Sequence, residues 1–475
     1  MIKHNEIVDI EAENPFGKCQ LDRKKYADVL TNIVSTYADG FVLAINNKWG
    51  TGKTTFIRMW NQDLKDNGFQ TVLFNAWEND FENNALTALM GELKTLTKKD
   101  VVNPNFENAL KNAAIFTKNL APVLVKAVVK KYVGETYEDI AEGVGKSLGD
   151  IFEKDVNEYA NKKKSIKEFR ESLSKFIADT WKDKPVIFII DELDRCRPDY
   201  AVSILEQIKH FFSIPNIVFV LSIDKEQLGH AVRGVYGSEF IDADEYLRRF
   251  IDIEYSIPEP DTVKYVKYLY NYYGYETFFR QEQRLRLHNN HYEFAEEVNN
   301  FIKITILIFK HLKISLRQQE KILSNARLSL KSFVFNSHLY PQIFVFFNII
   351  KYTDREFYYK IRNKVLTVNE LQNEFANLFK SKLTKEENTL LIKVESFLVH
   401  FYNNYYQPNG NDNLLALNVE FRLYELKIQS KFEDYSGQQS IFLKNLIYLN
   451  DQAYGSGEFL ENVLNKIELL EGFKE

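Results

Sequence analysis

One stretch limits this chain to a few folds before anything else is read. Phe41-Val42-Leu43-Ala44-Ile45 is a short continuous apolar run of the kind a buried strand makes. Asn46-Asn47-Lys48-Trp49-Gly50-Thr51-Gly52-Lys53-Thr54-Thr55 follows, and Phe56, Ile57, Met59 and Trp60 then recur with the spacing of a helix face. A strand, a Gly-containing turn and a helix opening at Lys-Thr is the layout of a phosphate-binding loop. The N–H groups of such a turn and the positive end of the helix aim at an anion. In that layout Asn47, Trp49, Gly50, Thr51, Gly52, Lys53, Thr54 and Thr55 line a nucleotide. The Lys53 ammonium reaches the terminal phosphates and the Thr54 hydroxyl ligates Mg²⁺. The spacing G-x-x-x-x-G-K-S/T has Asn47 where its first Gly belongs. Asn is the next most tolerant residue of positive φ, so the turn can form with Asn47 in the Gly role.

A second landmark supplies what the loop lacks. Pro185-Val186-Ile187-Phe188-Ile189-Ile190 reads as a central parallel strand and ends at Asp191-Glu192-Leu193-Asp194-Arg195. Carboxylates at the C-terminal end of a parallel strand stand where open α/β sheets bind ligands. Asp191 suits a Mg²⁺ held through water, and Glu192 suits a base that orients or deprotonates an attacking water. Thr71–Phe74 and Ile217–Ile223 read as two further buried strands, and helical patterns lie between the strands. That alternation means βαβ units and a parallel sheet. Ser222 and Asp224, at the end of the last of these strands, are candidates to sense a γ-phosphate. Arg248 and Arg249 precede the apolar end of the first domain and suit an arginine finger given to a neighbouring subunit's nucleotide.

The remaining stretches set the domain plan. Asp22 is placed to cap a helix that turns Tyr26, Leu30 and Ile33 inward, and Phe16 and Tyr26 either stack on a base or pack that helix. The interval between Lys53 and Asp191 is long and carries a helical insertion, about residues 80–183, with a break at Gly143-Val144-Gly145. Leu86, Leu89, Met90 and Leu93 share one of its faces, and Lys162-Lys163-Lys164 reads as a solvated one. After the second acidic motif, Val202, Leu205, Ile208 and Phe212 form a stripe. Pro258-Glu259-Pro260 marks a boundary. The expected domains are 1–258, a nucleotide-binding α/β domain with its parallel sheet flanked by helices; 259–406, a helical lid or regulatory domain; and 407–475, a C-terminal helical segment. In the second of these, Ser315 and Gln318 form a capping-box pattern, and Arg317 beside them is a candidate lid residue toward the nucleotide.

Composition narrows the classes. The chain has 475 residues, 45% hydrophobic and 27% charged, as globular proteins do, and a net charge of −5 that gives nucleic acid no global attraction. The 27 Tyr and 37 Phe fit large helix-packed cores. The two cysteines, Cys19 and Cys196, match no zinc or C-x-x-C spacing and suit a reducing cytoplasm. No apolar leader opens the chain, and the longest uncharged run, Ser332–Ile350, is broken by polar residues and Pro341, so no membrane span is expected. His288 and His291 have no third ligand near them in sequence and read as surface residues.

Four stretches together resemble the KAP family of P-loop NTPases, a branch near the AAA+ and STAND ATPases. They are Lys48-Trp49-Gly50-Thr51-Gly52-Lys53-Thr54, Phe74-Asn75-Ala76-Trp77, Ile190-Asp191-Glu192-Leu193-Asp194-Arg195-Cys196-Arg197-Pro198, and Phe219–Asp224; Tyr246-Leu247-Arg248-Arg249 fits more loosely. The resemblance covers about residues 10–330. It implies an ATPase that uses ATP and Mg²⁺, forms a homo-oligomer on nucleotide binding, and acts in bacterial anti-phage defence through a partner effector. Many bacterial members carry membrane helices between the two nucleotide motifs. Here that interval is charged and amphipathic, which implies a soluble, cytoplasmic version. Three readings follow: a working ATPase, a slow nucleotide-gated switch or scaffold that recruits a partner, and a nucleic-acid motor. The last is the least supported, since no groove signature of interleaved basic and aromatic residues is present.

Overall fold

The structure, a computed structural model, describes residues 10–37, 39–81, 84–97, 103–113, 147–180, 184–209, 214–281, 291–333, 339–406, 414–418, 423–433, 440–451 and 456–468. The chain divides into two compact units, one of Lys3–Glu259 and one that runs from Pro260 to the C-terminus.

The first unit is built on five strands, β1 (Asp39–Asn46), β2 (Gln70–Asn75), β3 (Val186–Asp191), β4 (Ile217–Ile223) and β5 (Ile253–Tyr255), in the order β2-β3-β4-β1-β5. All four pairings are parallel. Every residue of β3 and β4 is buried, which is why both read as unbroken apolar runs. Side chains alternate between the two faces of the sheet. Phe188, Ile190, Phe219 and Leu221 enter one layer, and Ile187, Ile189, Val218 and Val220 enter the other. Each such side chain contributes about 1.5–3 kcal/mol by leaving water.

Two helices cover the second layer, α1 (Lys24–Thr36) and α2 (Lys53–Asp66). α2 buries Phe56, Ile57, Met59 and Trp60, as its spacing predicts. Phe16 packs against Phe56 with ring centroids 6.1 Å apart, inside this layer. Asp22 does not cap α1. It takes φ 57, Arg23 occupies the N-cap position, and Ala27, Leu30 and Val34 are the buried residues, with Tyr26 and Ile33 only partly covered.

The first layer is covered by α3 (Ala85–Lys94), a helix over 104–113 (α4), α5 (Ser147–Thr180), α6 (Pro198–Lys209), α7 (Lys225–Tyr236) and α8 (Ala243–Arg248). The inserted helices join this core through Leu86, Leu89, Met90 and Leu93 of α3, Phe106 of α4, and Phe169, Leu173, Phe176 and Ile177 of α5. Phe106 and Phe176 meet at 4.9 Å. Lys163 and Lys164 are exposed on α5, as expected of a solvated face. The Gly143–Gly145 break and Phe212 lie outside the described residues.

The second unit is mainly helical: α9 (Thr262–Tyr272), α10 (Tyr275–Phe279), α11 (His291–His311), α12 (Leu316–Leu330), α13 (Pro341–Thr353), α14 (Arg355–Arg362), α15 (Val368–Asn377), α16 (Lys385–Tyr406), α17 (Ile441–Asp451) and α18 (Ser456–Glu468). One antiparallel pair, β6 (Leu415–Asn418) with β7 (Leu423–Leu426), is set among them. Ser315 and Gln318 form the capping box of α12, and Pro341 opens α13, where its missing N–H costs nothing. Residues from 266 to 467 share one core, so α18 packs with the helices before residue 407. No helix among the described residues is long and apolar enough to cross a membrane.

Candidate functional site

The C-terminal ends of β1, β3 and β4 converge, and the loops that leave them carry the chemistry. β1 ends at Asn46, yet its pairing continues for one residue through a side chain. Asn47 donates its own N–H to Ile223 O (3.1 Å) and its Nδ2 to Ile257 O (2.7 Å), and its Oδ1 accepts from the Ile257 N–H (2.9 Å). The amide thus acts as an extra rung toward the chain that follows β5. Asn47 is not among the residues of positive φ; Gly50 (φ 81) and Gly52 (φ 80) make the turn. The expectation that Asn47 would stand in for a Gly backbone is therefore corrected. Its side chain, which Gly lacks, is what the fold uses.

Gly52 is the N-cap of α2 and takes the left-handed conformation that Gly adopts without strain. No acidic residue lies in the first turn of α2, so its positive end is left for an anion. The Thr51 hydroxyl closes the loop on Lys48 O at 2.9 Å. From α1's N-cap, Arg23 donates to Gly52 O (3.0 Å) and Thr51 O (2.6 Å).

Lys53 is 9% exposed, and its ammonium donates to the Asn47 carbonyl. Burial pushes this group below its ordinary value, against the attraction of Asp194, Asp224 and Asp191 around it. Trp49 ties the loop to two of these carboxylates: its N–H donates to Asp224 Oδ2 at 3.2 Å and its indole N–H to Asp194 Oδ2. Asp224 also caps α7 through the Gln227 N–H. Ser222, the other candidate at this strand end, is fully buried and pairs in register with Asp191.

The acidic turn begins at Asp191, whose Oδ1 accepts the Glu192 N–H at 3.0 Å. Burial raises the Asp191 carboxyl above its ordinary value, and the neighbouring Glu192 adds to this. Asp194 is raised by burial too, with Lys53 opposing. Glu192 takes φ 61, which a non-Gly residue rarely does and which costs about 1–3 kcal/mol. The 3₁₀ turn Leu193–Arg195 then places residues three apart in line. Arg195 Nη1 meets Glu192 Oε1 at 2.8 Å, and the same oxygen accepts the Thr54 hydroxyl at 3.3 Å. The Arg195 guanidinium lies 5.9 Å from the centre of the Trp77 ring, and that ring is 54% exposed. Arg197 pairs with Asp80 at 2.9 Å, which joins the turn after β2 to the acidic turn. Cys196 is buried beneath, its thiol pushed up to about 12 by burial.

The donor set fits a hard divalent cation. The Thr54 hydroxyl meets the Glu192 carboxylate at 3.3 Å, and Asp191 precedes Glu192 in the same turn. Asp194 Oδ1 and Ser222 Oγ are buried without a full hydrogen bond. Thr54 and Asp191 are the residues that would hold Mg²⁺.

The structure therefore brings Asn47, Trp49, Gly50, Thr51, Gly52, Lys53, Thr54, Asp191, Glu192 and Asp224 to one sheet edge, with Thr55 half-buried in the first turn of α2. Arg248 and Arg249 are exposed at the end of α8, where Arg248 pairs with Glu245 at 3.4 Å. Arg317 is exposed in the first turn of α12, in the second unit. His288 and the side chain of His291 lie outside the described residues. Sequence reasoning missed three site residues. Asp194 and Arg195 could have been found from i,i+3 spacing along Asp191-Glu192-Leu193-Asp194-Arg195. Arg23, far upstream in a Lys-rich stretch, carries no local signal.

Residues 23–339 match the profile of the KAP family P-loop domain. The chain is similar, at 21% identity over 238 residues, to the Phage T7 exclusion protein of Escherichia coli (strain K12). That alignment takes in 46% of this chain and 30% of that protein, so the chain spans under a third of the relative's length. Similar solved structures are the Drosophila ORC bound to DNA (13% identity, 83% of this chain and 76% of that one, TM-score 0.31) and the Aeropyrum pernix ORC2 protein in its ADPNP–ADP complexes (11%, 98% and 97%, TM-score 0.32).

Proposed function

This chain belongs to the KAP family of P-loop NTPases, and we propose that it binds ATP with Mg²⁺ and hydrolyses it, coupling nucleotide state to a conformational change or to assembly. The observation that carries this reading is the 3.3 Å hydrogen bond from Thr54 to Glu192, which joins the phosphate loop to the acidic turn in one network. Lys53 binds the terminal phosphates in exchange for the Asn47 carbonyl. Gly50 and Gly52 turn backbone N–H groups toward the anion. Mg²⁺, held by Thr54 and Asp191, would supply positive charge against the phosphates. Glu192 takes a proton from water as the water oxygen attacks the γ-phosphorus and the bond to the β-phosphate oxygen breaks, giving ADP and phosphate. Glu192→Gln should abolish turnover and keep ATP binding, and Lys53→Ala should lose both; phosphate release and calorimetric titration measure the two. Binding without turnover in the parent chain, with any partner supplied, counts against hydrolysis.

A second reading, a slow nucleotide-gated switch, is favoured by one observation. Glu192 Oε1 accepts from both Arg195 and Thr54, and a carboxylate held in an ion pair is a weaker base. In either case we expect a homo-oligomer on nucleotide binding, with Arg248 or Arg249 given to a neighbour's nucleotide and Arg317 as a lid residue; size exclusion in ATP against ADP separates the readings, and no change in assembly state counts against the switch. The likeness to the Phage T7 exclusion protein supports a role in phage exclusion; a cytoplasmic location and a partner effector are part of the same proposal. Phage plating on cells expressing the chain or its Lys53→Ala variant tests that role.

A further inference from the structure

Arg23 sits at the head of α1, 5% exposed, and sends both ends of its guanidinium to consecutive carbonyls of the phosphate loop, Thr51 O at 2.6 Å and Gly52 O at 3.0 Å. These are two adjacent peptide planes. In a trans peptide the C=O and the N–H of one plane point in opposite directions. The plane that carries Thr51 O carries the Gly52 N–H, and the plane that carries Gly52 O carries the Lys53 N–H. Gly52 O also accepts the Phe56 N–H at 3.1 Å, the first bond of α2, so helix and guanidinium together fix that plane while the guanidinium fixes the Thr51 plane, and both N–H groups are turned to the opposite side. The left-handed Gly52, at φ 80, is the backbone state that lets neighbouring N–H groups converge as an anion nest. Only Arg has the planar fork that spans two acceptors, and its charge is permanent.

We propose that Arg23 is a positioning residue that pre-orients the Gly52 and Lys53 N–H groups for a di- or triphosphate, and so sets the affinity for the phosphates and not for the base. The proposal rests on the nucleotide reading above, and it specifies the ligand chemistry the nest takes: a β-phosphate. A purely structural role, as a buried cap holding α1, would lower stability but would leave discrimination by phosphate number unchanged.

The experiment compares the 475-residue chain with its Arg23→Gln, Arg23→Lys and Lys53→Ala variants. ADP, AMP and adenosine are titrated calorimetrically, and hydrogen exchange of the 47–56 backbone is followed without nucleotide. Expected for Arg23→Gln are at least about tenfold weaker ADP binding, the size of losing hydrogen bonds from a charged donor, AMP and adenosine binding within twofold, and faster exchange across the loop. Arg23→Lys keeps a buried cation but not the fork, so it should share the ADP loss; this covers the case in which the Gln variant does not fold. Unchanged ADP binding and unchanged loop exchange, with Lys53→Ala still impaired, overturn the proposal. Equal losses for ADP, AMP and adenosine overturn it as well. If the parent chain binds no ADP, the nucleotide reading fails, and the exchange data then decide the clamp: faster loop exchange in the variants upholds it and unchanged exchange overturns it.

Discussion

Glu192 shows how much one residue is asked to do. At the head of the 3₁₀ turn it holds a left-handed backbone, accepts the Thr54 hydroxyl from α2, and pairs with Arg195. If Arg195 keeps the carboxylate engaged at rest, Arg195→Ala should raise basal turnover about two- to fivefold with KM nearly unchanged, the factor that ~0.5–1 kcal/mol of partly exposed ion pairing represents. A fall in kcat would instead make Arg195 an activating partner. Lys53, Thr54, Asp191 and Glu192 were legible because each stands at a fixed offset from a strand or a glycine. Arg23 was not, because its two acceptors are 28 and 29 residues away and only the packing of α1 beside α2 brings them together. The role of Asn47 was legible as a departure from a pattern, but its meaning depended on Ile257, more than two hundred residues on.

At the scale of elements, β3 and β4 could be read directly, since a strand buried on both faces has to be apolar throughout, and the edge strand β2 showed through Val72 and Phe74, its two buried residues. β5 could not. It is three residues long, sits at the sheet edge and has no fully buried residue, so burial imposed no pattern on it. What holds this edge is partly Asn47. Replacing it by the pattern's own residue, Asn47→Gly, should therefore harm the protein. No positive φ is relieved there, and two hydrogen bonds to Ile257 are lost, an expected destabilisation of about 1–3 kcal/mol. Denaturant unfolding of the 475-residue chain measures it, and a gain in stability or in ADP affinity would refute the account. The acidic turn lies at the end of a rigid element for a related reason: β3 is clamped between β2 and β4 in register, so Asp191 is held from both sides.

At the scale of the molecule, the boundary at Pro258-Glu259-Pro260 was visible because prolines interrupt both helix and strand. The interior of the second unit was not, since many helices of similar amphipathic pattern can pack in many orders. That unit also contains its own titrating group. Glu395 is buried on α16, where it accepts from Gln372 (2.8 Å), the Lys431 N–H (2.9 Å) and the Ser430 hydroxyl. Burial raises this carboxyl above its ordinary value, with those hydrogen bonds opposing. The folded chain thus holds the proton more firmly than the unfolded chain. The stability this group contributes is full below its unfolded pKa and is lost as pH rises through the folded one. Glu395→Gln removes that dependence, so its melting temperature relative to the parent should climb as pH rises above the ordinary carboxylate range. A difference that stays constant with pH would mean the hydrogen bonds fully offset burial.

The two indoles at the site have a practical side. Trp49 is 46% exposed with its N–H on Asp194, and Trp77 lies under Arg195. Each ring is partly in water and partly beside a charge that belongs to the site, Trp49 by its N–H edge and Trp77 by its face. Indole emission follows the local field, so these rings are a built-in optical gauge. Events at the phosphate loop and at the acidic turn can be told apart by colour, in unlabelled protein, once each ring is replaced in turn.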